Sequence, residues 1–177
     1  MRKRILPLLV ITLLSYAPTA WAQHDHGHHH GHPHSTEKHS QNTLNSNDQL
    51  LSAVVSLLPS AQEIEKKGNW RKVTDKTKKT VGYAVCSTDE SNDIKGYAGP
   101  TPVVIVFSAD KKIVGVVPLA NSETPRFLQR VAESKLLEQW NGLSAKQAKT
   151  KKVDTVSGAT FSSRSIIETV QRTLEKL

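Results

Sequence analysis

Residues 102–117 read Pro-Val-Val-Ile-Val-Phe-Ser-Ala-Asp-Lys-Lys-Ile-Val-Gly-Val-Val. The first six form a continuous apolar run rich in β-branched side chains, which is typical of a strand that is buried on both faces of a sheet. A second apolar run at residues 113–117 follows a polar turn around Asp110 and Lys111. Two strand patterns joined by a short polar turn predict a β-hairpin, with the first strand at the centre of the sheet.

Helical patterns flank this hairpin. Leu and Val recur at helical spacing over residues 50–58 up to Pro59, and we expect a second short helix over residues 60–67. A strand is expected at residues 81–86, helical segments over 125–140, and a Lys-rich loop over 141–152. The basic stretch at residues 66–79 around Trp70 is expected to be a solvated face, with a docking surface for an acidic partner or membrane headgroups as the alternative.

About 130 residues are enough for one hydrophobic core, and no internal repeat is evident. The succession of elements therefore predicts an α+β fold: one small domain in which helices pack against an antiparallel sheet. We place this domain at residues 50–177, after two N-terminal segments of different composition.

The first segment, residues 1–22, has the three parts of an export signal. Arg2, Lys3 and Arg4 precede a short apolar run, and Ala20-Trp21-Ala22 is a small-x-small cleavage site. The apolar run is far shorter than the ~20 residues of a membrane-spanning helix. We therefore expect a cleaved signal peptide and a periplasmic or otherwise extracytoplasmic protein. Cleavage removes three of the 24 basic and none of the 16 acidic residues, and the resulting net charge of +5 does not indicate nucleic-acid binding.

The second segment, residues 23–49, is polar, lacks periodicity and is expected to be disordered. We call it the His-rich leader because it holds every histidine of the chain. Neutral imidazoles bind Zn, Cu or Ni, although a flexible cluster binds them loosely. The alternative is a solvated segment of no defined role. The candidate metal ligands are His24, His26, His28, His29, His30, His32 and His34, and His39 completes the set of eight.

The folded part lacks the residues that several enzyme classes need. Cys86 is the single cysteine, which excludes an internal disulfide, haem attachment or an iron–sulfur cluster and favours a buried structural thiol. A nucleophilic serine needs a base such as His, and all histidines lie in the leader. Hydrolase, dinucleotide-binding and P-loop signatures are also lacking, so no stand-alone enzyme class is indicated.

Residues 154–163 read Asp-Thr-Val-Ser-Gly-Ala-Thr-Phe-Ser-Ser and lead into an amphipathic helix. Apolar side chains recur there at helical spacing, at Ile166, Ile167, Val170, Leu174 and Leu177. Small and hydroxyl residues are thereby placed at a helix N-terminus, where free N–H groups and the macrodipole favour an anion such as phosphate. An ordinary N-cap is the alternative interpretation.

This run resembles the flavinylation motif of the FMN-binding domain family, whose members include components of the sodium-translocating NADH:quinone oxidoreductase and of the Rnf electron-transfer complex. The resemblance implies that Thr160 carries FMN through a phosphoester, installed from FAD by a dedicated flavin transferase. It extends over residues 81–177. Gly96-Tyr97-Ala98-Gly99 resembles the family's Gly-Tyr-x-Gly turn, and Asn121-Ser122-Glu123-Thr124-Pro125 resembles its Glu-Thr-Pro segment, which lies near the flavin in relatives. The family usually has Gly where this chain has Arg126.

The residues implied in FMN binding are Thr160, Ser157, Gly158, Ala159, Ser162, Ser163, Asp154, Glu123, Thr124, Gly96 and Tyr97. Backbone N–H groups and the three serines would hold the phosphate, while Glu123 and Thr124 would lie near the ring. Asp154 could fold back onto the turn or hold a cation during flavin transfer.

We therefore expect an exported electron-transfer flavoprotein that relays electrons between a membrane or extracytoplasmic donor and an acceptor, as a component of an oxidoreductase system. The first alternative is an exported divalent-metal-binding protein that uses the His-rich leader, with a non-redox domain that binds a phosphorylated ligand. A flavin reductase with its own substrate is a third possibility.

Overall fold

The computed structural model describes residues 46–87 and 91–177. The predicted signal peptide and nearly all of the His-rich leader lie outside the described residues. The first helix, α1 (Ser46–Leu57), begins within the last residues of the expected leader, so residues 46–49 are helical. Leu50 and Val54 are the buried residues of α1, and the helix predicted over residues 50–58 is confirmed.

Five strands form one antiparallel sheet, in which each strand pairs with its neighbours along the chain. They are β1 (Glu63–Lys67), β2 (Trp70–Thr74), β3 (Thr80–Cys86), β4 (Val103–Ser108) and β5 (Ile113–Pro118), in the spatial order β1-β2-β3-β4-β5. The predicted α+β class is confirmed, and so is the hairpin of residues 102–117, in which Val104 pairs with Val117 and Ile105 with Val116.

Strand β4 is buried on both faces, which explains its unbroken apolar sequence. It is the fourth of the five strands and lies next to the edge strand β5, so its predicted place at the centre of the sheet is wrong. Val103, Ile105 and Phe107 project to one face of the sheet and pack in the larger core cluster with α4 (Thr160–Glu175). Val104 and Val106 project to the other face and pack with α1. Because side chains alternate along a strand, β4 can fill two cores at once. The sheet is therefore sandwiched between α1 and the C-terminal helices.

The short helix predicted over residues 60–67 is wrong, because Glu63–Lys67 is the edge strand β1. Lys67 pairs with Trp70 across a two-residue turn, and Gly68 in that turn has φ +61. The basic stretch at residues 66–79, which we expected to be a solvated face, consequently contains β2. Trp70 is half-buried and lies edge-on to Phe107, with 4.9 Å between the ring centroids.

The C-terminal helices position the motif. The helical segments predicted over residues 125–140 correspond to α2 (Pro125–Glu133) and a following 3-10 turn, Leu136–Glu138. The predicted loop over 141–152 contains one further short helix, α3 (Ala145–Lys149), which Ser144 and Gln147 close with a reciprocal capping box. Helix α4 then runs from the motif to Glu175. Among the described residues, no helix has the length and apolarity that crossing a membrane requires.

Candidate functional site

Helix α4 begins at Thr160, and its N-terminus is open. The N-cap residue Ala159 has no side chain that could accept a hydrogen bond from the first turn. Thr160 itself is exposed, and its hydroxyl makes no hydrogen bond to the residues that the structure describes. The first-turn N–H groups and the positive end of the helix macrodipole are thus next to an accessible hydroxyl.

Two of the motif's serines use their hydroxyls in hydrogen bonds within the protein. Ser163 is fully buried, and its hydroxyl donates to the carbonyl of Ala159 at 2.8 Å and accepts from the N–H of Val156 at 3.0 Å. The Ser162 hydroxyl is also buried and donates to the carboxylate of Glu123. Ser157, by contrast, is exposed. Of the three serines proposed from sequence to hold a phosphate, Ser157 is the one whose side chain is accessible.

Glu123 joins three segments that are distant in the sequence. Its side chain is buried, with 5 % exposed, and Oε1 accepts a hydrogen bond from the N–H of Ala98 at 2.9 Å. Oε2 accepts from the hydroxyl of Ser162 at the start of α4. The N–H of Gly96 donates to the carbonyl of Gly99 at 2.8 Å, which closes the turn that Glu123 contacts. The Gly-Tyr-Ala-Gly turn, the Glu-Thr-Pro segment and the final motif therefore converge at Glu123.

Gly96 permits this convergence because it lacks a side chain. A Cβ added at Gly96 would lie 2.9 Å from Cδ of Glu123 and closer still to Oε1, whereas ordinary contact begins at 3.4 Å. Any larger residue would push the buried carboxylate away from the turn. The role of Gly96 in the site is therefore close approach to Glu123.

An open cleft of about 250 Å³ lies directly beside Thr160. Three of its seven lining residues are aromatic, and two of their rings are largely exposed: Tyr97 at 63 % and Phe161 at 62 %. The ring of Phe127 lies edge-on to that of Tyr97, with 4.9 Å between centroids and 73° between planes. The lining residues are Tyr97, Phe127, Gly158, Ala159, Thr160, Phe161 and Ser162.

Sequence reasoning missed Phe127 and Phe161 as wall residues. Phe161 lies inside the motif, between Thr160 and Ser162, so an aromatic residue beside the acceptor hydroxyl was a usable signal. Phe127 gave no comparable signal, because its position in the cleft depends on how α2 packs against α4.

Two arginines of α2 flank the cleft. The guanidinium carbon of Arg126 lies 5.6 Å from the centroid of the Phe127 ring, a cation–π geometry. Arg130, one turn later, packs its guanidinium against Gly158, where an added Cβ would be 2.7 Å from Nη1. Gly158 has φ +75, a conformation that favours glycine. Sequence reasoning identified Arg126 as a departure from the family and missed Arg130.

The other predicted residues lie at the margin of this cluster. Thr124 is the N-cap of α2 and is half-buried, but its side chain does not cap the helix. Asp154 is exposed, and its carboxylate has no hydrogen bond or ion pair with any residue the structure describes. Within residues 46–87 and 91–177, no three His, Cys, Asp or Glu side chains are grouped to hold a metal ion. The histidine ligands proposed from sequence lie outside these residues.

Comparison with known proteins identifies the part of the chain that carries this geometry. Residues 96–175 match the family model described as FMN-binding domain. The matched range begins at Gly96 and includes Glu123, the motif and all of α4. No curated protein matches the chain.

Proposed function

We propose, from the membership of residues 96–175 in the FMN-binding domain family, that this protein is an exported electron-transfer flavoprotein with FMN esterified to Thr160. Family membership makes the chain a flavin-binding protein. The covalent bond, the export and the relay of electrons between a membrane or extracytoplasmic donor and an acceptor are our proposals. No nucleic acid is part of the proposed role.

The observation that carries the proposal is the placement of Thr160. Its hydroxyl is exposed, it starts a helix whose N-cap has no capping side chain, and it borders an aromatic cleft. A phosphate needs N–H donors and close backbone approach, which α4 and Gly158 supply. A flavin ring system needs an apolar, partly enclosed surface, which Tyr97, Phe127 and Phe161 supply. The residues present fit FMN.

The chain's residues would divide the work as follows. Thr160 Oγ would form the bond to the phosphorus of the FMN half of FAD, the pyrophosphate bond would break, and AMP would be the leaving group. The hydroxyl proton passes to a base of the transferase. Tyr97, Phe127 and Phe161 would cover one side of the bound flavin and shield it from water. Bound FMN supplies the one- and two-electron redox chemistry. Glu123 and Ser162 hold the start of α4 against the turn at Gly96 through their hydrogen bond.

The test is the intact mass of the chain after co-expression with a flavin transferase. We expect the wild type to carry one FMN adduct, visible also as yellow fluorescence on a denaturing gel. Thr160→Val should abolish both signals, because the isosteric side chain has no hydroxyl. Thr155→Val is the matched control, since Thr155 is another exposed threonine of the same motif. An unmodified wild type, or an adduct that survives Thr160→Val, would refute the covalent assignment.

Export rests on the sequence of residues 1–22, and the same mass measurement on protein from its native host tests it. A mature chain that starts at Gln23 would support cleavage. The alternative function, divalent-metal binding by the His-rich leader, is favoured by the eight histidines between residues 24 and 39. Deletion of residues 23–39 distinguishes the two: flavin content should persist under our proposal, whereas function should be lost under the alternative.

A further inference from the structure

Arg130 is held against the backbone at the start of α4. It belongs to the last turn of α2, yet its guanidinium lies on Gly158, two residues before Thr160. A Cβ at Gly158 would be 2.7 Å from Nη1, 3.2 Å from Cζ and 3.4 Å from Cδ of Arg130. The whole end of the side chain therefore covers this glycine, and the glycine allows it to do so.

This placement brings like charges together. The guanidinium is always protonated, and the N-terminus of α4 carries a partial positive charge. Neither Arg130 nor Arg126 forms an ion pair within the part of the chain that the structure describes, whose three ion pairs involve Lys67, Lys78 and Arg172. A cation beside a helix N-terminus is unfavourable unless an anion lies between them.

We propose that Arg130 is the counter-charge of the phosphodiester on Thr160. This inference rests on the proposed function, because it assigns a partner to the group attached there. The diester carries one negative charge, shared by its two non-bridging oxygens. A guanidinium donates two parallel N–H bonds to such a pair of oxygens, and the first-turn N–H groups of α4 approach from the other side. The side chain and the helix together then neutralise one anion.

Arg126 provides the matched comparison. It lies one helical turn before Arg130 on the same helix, is also exposed, and carries the same charge. Its guanidinium, however, lies over the ring of Phe127 instead of over Gly158. Loss of Arg126 therefore removes a nearby cation without removing the proposed contact.

The experiment uses the full chain loaded by a flavin transferase, and each variant purified without the transferase as its own unloaded reference. The variants are Arg130→Gln, Arg130→Lys and Arg126→Gln. The first readout is the ³¹P resonance of the attached diester, the sole phosphorus in the purified protein. We expect Arg130→Gln to move it from the wild-type position and Arg126→Gln to leave it there.

The second readout is the gain in the folding equilibrium constant on loading. We expect Arg130→Gln to reduce that gain about two- to fivefold at low salt, the range for an exposed charge pair. Near 1 M salt the difference between Arg130→Gln and the wild type should largely vanish, because the Debye length at that ionic strength is about 3 Å and exposed charges are screened. Arg130→Lys should retain part of the gain, since it keeps the charge but loses the planar fork.

The outcomes separate two failures. If wild-type protein carries no adduct on Thr160, the proposed function and this inference fall together. If the adduct is present but Arg130→Gln matches Arg126→Gln in ³¹P position and in the gain on loading, the assignment of Arg130 alone is overturned. Circular dichroism of each variant checks that it is folded, and we expect native spectra because the Arg130 side chain is exposed.

Discussion

Gly96→Ala tests whether the close approach of Glu123 to the Gly-Tyr-Ala-Gly turn stabilises the domain. The new methyl group would lie 2.9 Å from Cδ of Glu123, 0.5 Å inside ordinary contact, and nearer still to Oε1. The carboxylate cannot move freely, because it is buried and hydrogen-bonded to Ala98 and Ser162. It must either compress the turn or give up its bond from the N–H of Ala98.

The size of the effect follows from these two alternatives. Overpacking a well-packed site costs about 1–3 kcal/mol. Loss of a hydrogen bond to a charged group costs about 1.5–3 kcal/mol. Because loss of the hydrogen bond lets the carboxylate move and relieves the overpacking, the two costs do not add fully. We expect the free energy of unfolding to fall by about 2–4 kcal/mol. That is a large part of the ~5–15 kcal/mol that stabilises a typical domain.

Urea denaturation measures this loss, with an unchanged m-value as the sign that the unfolding transition is the same. The contact is isolated by repeating Gly96→Ala in two backgrounds. In Glu123→Ala the opposing side chain is gone, and the cost should fall close to zero. In Glu123→Gln the side chain has nearly the same shape, and the cost should persist.

Gly68→Ala is the control for glycine replacement as such. Gly68 has φ +61 and no atom within 4 Å of an added Cβ, so its cost of about 1 kcal/mol would be conformational. The reasoning about Gly96 is refuted if its replacement costs no more than that. It is also refuted if the costs of Gly96→Ala and Glu123→Ala add within ~0.5 kcal/mol, since residues in contact should couple.

Two titrations give further predictions. Burial raises the pKa of the Cys86 thiol above its usual 9.0, although the positive charge of Arg71 acts in the opposite direction. The contribution of the protonated thiol to the free energy of unfolding should therefore hold below pH 9.0 and be lost as the pH rises through the folded-state pKa. Cys86→Ala should remove that alkaline decline in urea midpoints. The hydroxyl of Thr77, 2.6 Å from Asp75, lowers the pKa of that carboxyl below its usual 3.8, so its stabilising contribution should be lost as pH falls through the folded-state pKa. Thr77→Ala should move the Asp75 titration, followed by NMR, toward 3.8.

The strands show what a sequence pattern can and cannot predict. Strand β4 was predictable because burial on both faces forces an uninterrupted apolar run. Strand β1 was not, since its sequence Glu-Ile-Glu-Lys-Lys favours helix and only Ile64 is partly buried. An edge strand buries little apolar surface, and its charged side chains prevent pairing with other chains. Its sequence therefore lacks the alternation of apolar and polar residues by which strands are predicted. The two-residue turn at Gly68 and Asn69 was the available clue.

The short helix α3 was missed for a different reason. Its five residues are too few to show periodicity. The signal was instead at its start, where Ser144 and Gln147 have the spacing of a capping box. Local hydrogen bonding specifies this helix, so a search for caps would have found it where a search for apolar periodicity did not.

In the candidate site, sequence reasoning identified the segments better than the individual roles. Gly96, Glu123 and Ser162 were all associated with the flavin, and they do meet. The structure adds that Glu123 accepts hydrogen bonds from Ser162 and from the N–H of Ala98, while Gly96 contributes close approach, which motif resemblance could not reveal. Phe127 and Arg130 escaped notice because both sit on α2, outside the segments that carry the family resemblance.

The bond between Ser162 and Glu123 has a consequence for the helix that begins at Thr160. A carboxylate near a helix N-terminus would normally cap it and neutralise its partial charge. Glu123 instead takes the hydroxyl of Ser162 and the N–H of Ala98, and it accepts no hydrogen bond from the backbone of α4. The buried Glu123 side chain thus fixes the position of α4 while the helix keeps an N-terminus without a side-chain cap. An anion supplied at Thr160 would therefore meet donors that the protein's own carboxylate does not occupy.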